Sequence, residues 1–315
     1  MTDNCALALK IDVDTLKGYQ EGLPRLLDML KRRGIRASIF FSMGPDNSGK
    51  AVRRIFRRGF VSKMLRTRAP STYGLKTLLY GTLLPAPMIV ESDPGLLRRA
   101  VDEGHDCGVH AWDHVFWQDR LPSLSREAVR EQFARSMELF ERVSGTAPAC
   151  CAAPGWQTTP DALAVQDELG FAYCSDVRGT GPSLPRVFLP RMGGTTFRTP
   201  QIPSTLPTLD ELWGTDGLDA DTVNDRYLDL LEPGVNVHTI HTEMEGGAMS
   251  GVFEALLDAC LEGEMAFMTL REVLAGAGAA ATVDDGAAPL PVSEVVMREI
   301  PGRAGTLAVQ QAAEG

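Results

Sequence analysis

The chain has 315 residues, 44% hydrophobic and 23% charged, a composition that suits an ordinary globular fold and excludes collagen-like, disulfide-scaffold and disordered classes. Its length can bury a substantial core, and one α/β barrel-like domain commonly takes up about 200–250 residues, so a single large domain with a tail is expected. The net charge of −10 is unevenly spread: residues 47–90 contain no Asp or Glu and carry nine Lys or Arg, leaving the rest strongly acidic.

The N-terminus reads Met1-Thr2-Asp3-Asn4 and then Ala6 to Ile11. It lacks a basic n-region and reaches Asp12 before an apolar h-region could form, so no export signal is expected. Cys5 to Ile11 alternates and then runs apolar, as a buried strand does. Tyr19 to Arg33 carries Leu23, Leu26, Leu27 and Leu30 at helical spacing and closes at Gly34. Arg36 to Ser42 is a second strand, its Ile-Phe-Phe run typical of a strand covered on both faces. Asp93 and Pro94 open a helix that stops at Gly104, and Cys107 to His110 is a third strand. Ser125 caps a long helix ending near Gly145, and Ala149 to Ala153 is a strand. Thr159 and Pro160 start a helix ending at Gly170, and Phe171 to Ser175 is again a strand. Gly234 to Ile240, the helix Val252 to Leu261 and the strand Met265 to Met268 complete the set. Helices alternating with short buried strands predict a parallel α/β sheet, open or closed into a barrel. Ala275 to Pro291 reads as an Ala/Gly-rich linker, and Val295 to Gln311 has the apolar residues to dock back on the domain. The six cysteines are scattered without a C-x-x-C pair, which fits reduced thiols in a cytoplasm. No stretch approaches the roughly 18 apolar residues of a membrane-spanning helix.

Asp12 and Asp14 end the first strand two residues apart, where parallel α/β folds assemble their sites; in isolation the pair reads more readily as a helix cap or Asx turn. His110-Ala-Trp-Asp-His114 is stronger. Two imidazoles at i and i+4 on one helical turn can grip a single cation, and a carboxylate from a neighbouring strand end would complete a His, His, Asp set with positions left for water and substrate. His238 and His241 end a later strand on opposite faces, and His241 is the one expected to protonate an amine leaving group. His238 and His105 read as structural.

An Asp motif ending strand one, H-x-x-x-H ending a later strand and a late His resemble the polysaccharide deacetylase, or NodB-homology, family. The resemblance implies a distorted (β/α) barrel with fewer strands than a TIM barrel. It also implies Asp12 as base, Asp14, His110 and His114 as ligands of one divalent cation (zinc, cobalt, nickel or manganese), and His241 as acid. FFSMGPDNSG at 40–49, GVHAWDH at 108–114, CSDVRG at 174–179, QIPSTLPTLDE at 201–211 and TIHTEMEGG at 239–247 are similar to a deformylase branch of that family. That branch acts on a formamido sugar carried on a polyprenyl phosphate during lipid A modification. From it follow Asp176 as the residue orienting His241, and substrate contacts at Asp46, Asn47, Gly155, Trp156, Arg178 and Arg191. The family's wider R-P-P-x-G loop, whose Arg orients the catalytic Asp, is replaced here by Ala152-Ala153-Pro154-Gly155-Trp156. Arg178 and Arg191 are the candidates to replace that Arg or to contact phosphate.

The catalytic domain is expected over 1–275, with a basic membrane-facing insertion at about 47–90, followed by linker and tail at 276–315. The insertion mixes Arg53, Arg54, Arg57 and Arg58 with Phe60, Leu78 and Leu79, the composition of an interfacial amphipathic segment. A basic, apolar platform of this kind suits delivery of a polyprenyl-phosphate substrate at the cytoplasmic face of the inner membrane, with no nucleic acid as partner. The rival readings are a polysaccharide or peptidoglycan N-deacetylase and a catalytically silent module binding lipid phosphate.

Overall fold

The computed structural model describes residues 5–51, 76–179, 181, 184, 186–280 and 290–312. The central strand β1 (Cys5–Val13) carries β8 (Gly234–His241) along one edge. Its other edge is shared: β2 (Ser38–Ser42) pairs with Lys10–Val13 and β9 (Ala266–Met268) with Ala6–Ala8. Beyond β2 follow β3 (Asp106–Ala111), β4 (Cys150–Cys151) and β5 (Tyr173–Cys174), all parallel. The sheet curls, and residues 201–206 bridge its two ends. Ile202 N donates to Cys174 O and Ser204 N to Val177 O, while Thr205 N and Leu206 N donate to Val237 O of β8. This is the distorted barrel that the resemblance implied.

Alternation along β1 sorts its side chains into two environments. Leu7, Leu9, Ile11 and Val13 pack outward against Leu23, Leu26, Leu27 and Leu30 of helix α1 (Leu23–Arg33), whereas Ala8 faces inward with Phe40, Tyr173 and Val237. Lys10 and Asp12 share that inner face, so a cation and an anion line the barrel interior beneath the strand ends. Gly34 closes α1 at φ +66°, the left-handed position that glycine adopts without steric cost.

Helices α2 (Pro94–Asp102), α3 (His114–Arg120), α4 (Arg126–Ser144) and α5 (Pro160–Leu169) start at the Asp93, Asp113, Ser125 and Thr159 caps, each side chain accepting a backbone N–H of the first turn. The turn before α1, Gly18–Gly22, is wound wider than an α-helix and lies against the loop after β8. A Cβ on Gly22 would stand 2.0 Å from Thr242 O, so only glycine permits that approach.

The stretch read as a flexible linker starts as helix: Leu270–Ala280 is helical, because its alanines favour that state. The last strands, β10 (Val292–Glu299) and β11 (Thr306–Ala312), form an antiparallel hairpin. It pairs through β10 with β6 (Leu189–Met192), which in turn pairs with β7 (Thr195–Thr196). The hairpin is stitched to the barrel, with Arg178 N donating to Ala308 O and Gln310 N to Arg178 O. Among the described residues no helix is long and apolar enough to cross a membrane. Arg53, Arg54, Arg57, Arg58 and Phe60 lie outside the described residues. Leu78 and Leu79 are half-buried in the turn Thr77–Leu79.

Candidate metal centre and active site

Asp14 follows the last residue of β1, His110 stands near the end of β3, and their rows converge at the C-terminal mouth of the barrel. His114 is the first residue of α3, whose cap is Asp113. The two histidines therefore do not share one helical turn as the spacing suggested. One leaves a strand and the other opens a helix, and the sharp turn between them brings the rings to 5.3 Å.

The ligand atoms of Asp14, His110 and His114 lie within 4.8 Å of one another. Asp14 Oδ1 stands 3.3 Å from His110 Nε2, and Oδ2 stands 3.4 Å from His114 Nε2. Asp14 Oδ1 is buried without a hydrogen bond of good geometry, which is costly unless another partner satisfies it. Two imidazoles and a carboxylate with such an orphaned oxygen fit a divalent cation. Burial works to raise the Asp14 carboxyl, but the charges of His114, His110 and His241 outweigh it and hold the group far below the usual carboxylate range. His110 is raised in turn, because Asp12 and Asp14 overcome the effect of its burial.

Asp12 is buried beside this cluster, its Oδ1 4.0 Å from His110 Nδ1. The partner that sequence reasoning missed is Lys10. Its Nζ lies 3.3 Å from Asp12 Oδ2, donates to Ser175 O at 3.2 Å, and stands 5.1 Å and 5.9 Å from the ring centres of Trp156 and Phe40. The signal was present as a lone Lys in the apolar run Ala6-Leu-Ala-Leu-Lys-Ile11, two residues before Asp12 and hence on its face. Neither arginine proposed for this position stands there. Arg178 forks onto Glu211, with Nη1 2.8 Å from Oε1, and donates to Leu206 O. Arg191 belongs to the second sheet, where it bonds Thr196 and pairs with Glu294.

His241 ends β8 half-exposed, near enough to Asp14 for its charge to lower that carboxyl, and its backbone N–H donates to Glu245 Oε2 at 2.9 Å. Burial pushes Glu245 up to about 8. Glu243 is pushed up to about 8 by burial and the charge of Asp14, and its Oε1 accepts both Thr15 N and Thr15 Oγ1, tying the loop after β1 to the loop after β8. His238 is buried edge-on against Tyr227 at 4.6 Å, and burial lowers it to about 3. Its burial against Tyr227 agrees with the structural reading given to it from the sequence.

Asp176 does not stand where the resemblance put it. Its Oδ2 accepts Gln166 Nε2 at 2.7 Å and Gln201 Nε2 at 3.2 Å, and it is raised chiefly by burial, with the charge of Lys10 opposing. Among the described residues its side-chain bonds do not reach His241. Asp46 Oδ2 accepts Leu16 N and its Oδ1 accepts Ser48, bracing the loop beside Asp14. Asn47 Nδ2 donates to Asp113 Oδ2 at 2.6 Å and so steadies the cap of the helix that carries His114. Gly155 and Trp156 both take left-handed φ, +58° and +53°, and a Cβ on Gly155 would meet Gln118 Nε2 at 2.4 Å. Trp156 is buried, its Nε1 donating to Ser204 and its ring 4.8 Å and 4.5 Å from the guanidinium carbons of Arg178 and Arg303. It is a pillar of the site's floor and not an exposed contact.

A model of the polysaccharide deacetylase family matches residues 7–174. The chain is 37% identical over 305 residues, 96% of its own length and 94% of the relative's, to a Shewanella sediminis protein named "Probable 4-deoxy-4-formamido-L-arabinose-phosphoundecaprenol deformylase". It is 29% identical over 301 residues to a protein of Wigglesworthia glossinidia brevipalpis with the same name, covering 93% of this chain and 98% of that one. Its fold is similar to that of a Mycobacterium smegmatis protein described as a polysaccharide deacetylase, with TM-score 0.56 and 14% identity over 88% of this chain and 91% of that one. It is also similar to a peptidoglycan N-acetylglucosamine deacetylase, with TM-score 0.52 and 17% identity over 86% and 88%. With a curled parallel barrel, a family match across more than half its length and a relative aligned almost end to end, the chain belongs to the polysaccharide deacetylase family.

Proposed function

We propose that the chain is a metal-dependent deformylase that hydrolyses the formamide of 4-deoxy-4-formamido-L-arabinose carried on undecaprenyl phosphate, giving formate and the 4-amino sugar lipid. The observation that carries this reading is the convergence of Asp14, His110 and His114 beside Asp12 and His241, in a chain aligned over 96% of its length with a relative named for that reaction. A divalent cation held by Asp14, His110 and His114 would supply Lewis-acid polarisation of the formyl carbonyl and a lowered pKa for water. Asp12 accepts the proton of the attacking water as its oxygen bonds to the formyl carbon. His241 gives a proton to the sugar nitrogen as the C–N bond breaks, so that an amine departs instead of an amide anion. Zinc, cobalt, nickel and manganese all suit two imidazoles and a carboxylate.

The substrate's polyprenyl tail resides in a bilayer, and peripheral attachment to the cytoplasmic face of the inner membrane is part of the proposal. Leu83 is 81% exposed and Phe116 37%, on elements joined beside the site. The turn carrying Leu83 packs through Gly81 on Asn47, which bonds Asp113, the residue whose Oδ1 caps Phe116 N. The test is to supply the formamido lipid and its acetamido counterpart and measure the acid released. Formate from the first supports the reading, acetate alone would favour an N-deacetylase, and neither acid with any of the four metals would refute it.

A further inference from the structure

We infer that Lys10 is the positioning residue for Asp12, replacing from within β1 the arginine that the wider family places on the loop now occupied by Ala152 to Trp156. The inference rests on the deformylase reading for its reaction but on geometry for its substance. Lys10 is fully buried, and a buried ammonium persists only when paired and hydrogen-bonded. Both needs are met at one place. Nζ lies 3.3 Å from Asp12 Oδ2 and donates to Ser175 O at 3.2 Å, with the rings of Trp156 and Phe40 flanking it.

The geometry divides the carboxylate's two oxygens between two tasks. Oδ2 is held by the ammonium, while Oδ1 is buried without a hydrogen-bond partner, 4.0 Å from His110 Nδ1, and so stays available to accept a proton. Because Lys10 and Asp12 are two apart on one strand, the backbone itself fixes their separation, and no loop has to close to align the base. Lys10 is not one of the ligand trio, and its one carboxylate ion-pair partner is Asp12 among the described residues.

The test compares Lys10→Met, Lys10→Gln and Lys10→Arg with wild type by formate release, cation content, melting temperature and the crystallographic position of Asp12. Lys10→Met is expected to keep its cation and its KM within about twofold while kcat falls about a hundredfold, the usual cost of a base displaced by about 1 Å. Lys10→Arg should recover at least tenfold of that loss. A Lys10→Met enzyme with kcat within threefold of wild type, or a Lys10→Arg enzyme no better than Lys10→Met, overturns the inference. If Lys10→Met does not fold, Lys10→Gln and Lys10→Arg decide, equal kcat in the two being the contrary result. Asp12 unmoved in the variant crystal overturns it even if wild type yields no formate, an outcome that would by itself refute only the deformylase reading.

Discussion

His238 and Glu245 flank His241 within four residues on either side, and burial drives their protons in opposite directions. His238 is lowered to about 3 from 6.5, so the folded state keeps it neutral while the unfolded chain takes up a proton. Its contribution to stability is complete above pH 6.5 and is lost as pH falls toward 3. Glu245 is raised from 4.5 to about 8, so the folded state keeps its proton while the unfolded chain releases one. Its contribution is complete below pH 4.5 and is lost as pH rises toward 8. Each slope is about 1.4 kcal/mol per pH unit at most, and the two oppose between 4.5 and 6.5. In thermal melts His238→Phe should therefore lessen the fall in stability on the acid side, and Glu245→Gln should lessen the fall on the alkaline side, to which Glu243 also contributes; variants that keep the wild-type profile would contradict these assignments. The side chains legible in the sequence were those whose chemistry demands a pattern: Asp12 and Asp14 at a strand end, and two histidines at a fixed spacing. Lys10 escaped although it stands two residues before Asp12 on the same face, because a lone cation in an apolar strand completes no known motif. Asp176 was misplaced because its partners, Gln166 and Gln201, come from a distant helix and the closing segment.

Period and capping residues made the larger elements readable, since Asp93, Ser125 and Thr159 each stand before an apolar helical repeat. The paired strands at 189–196 were not, because four-residue and two-residue strands are too short to show alternation. The hairpin of β10 and β11 was legible only as an apolar tail, and its importance comes from what it touches. Leu307 and Val309 pack on Trp156, and Arg303 Nε reaches Glu211 Oε1 at 2.7 Å, the same carboxylate that Arg178 forks onto. Removing one charged partner of a buried carboxylate costs about 2 kcal/mol. Arg303→Ala is accordingly expected to lower the melting temperature by several degrees and to reduce kcat several-fold through Trp156, with cation content unchanged. Loss of the cation instead would mean that the hairpin supports the ligand trio and not the floor beneath it.

The proposed lipid contact rests on the sequence of residues 47–90 and on the exposed side chain of Leu83. The acid-free segment 47–90 contributes nine cationic residues to a chain of net charge −10, and its described part carries Leu83 beside the mouth of the barrel. Flotation with vesicles containing anionic lipid should show binding that weakens with salt, and Leu83→Asp should weaken it further at every salt concentration. Binding indifferent to both would place the lipid contact elsewhere. Catalysis as proposed depends on one divalent cation held by Asp14, His110 and His114, which come from two strand ends and a helix start, and the most direct measurement is formate release by protein stripped of metal and then reloaded. One equivalent of divalent cation per chain, no formate after stripping, recovery on reloading and loss of bound cation in His114→Ala are the expected results. Undiminished formate release from fully stripped protein would contradict it.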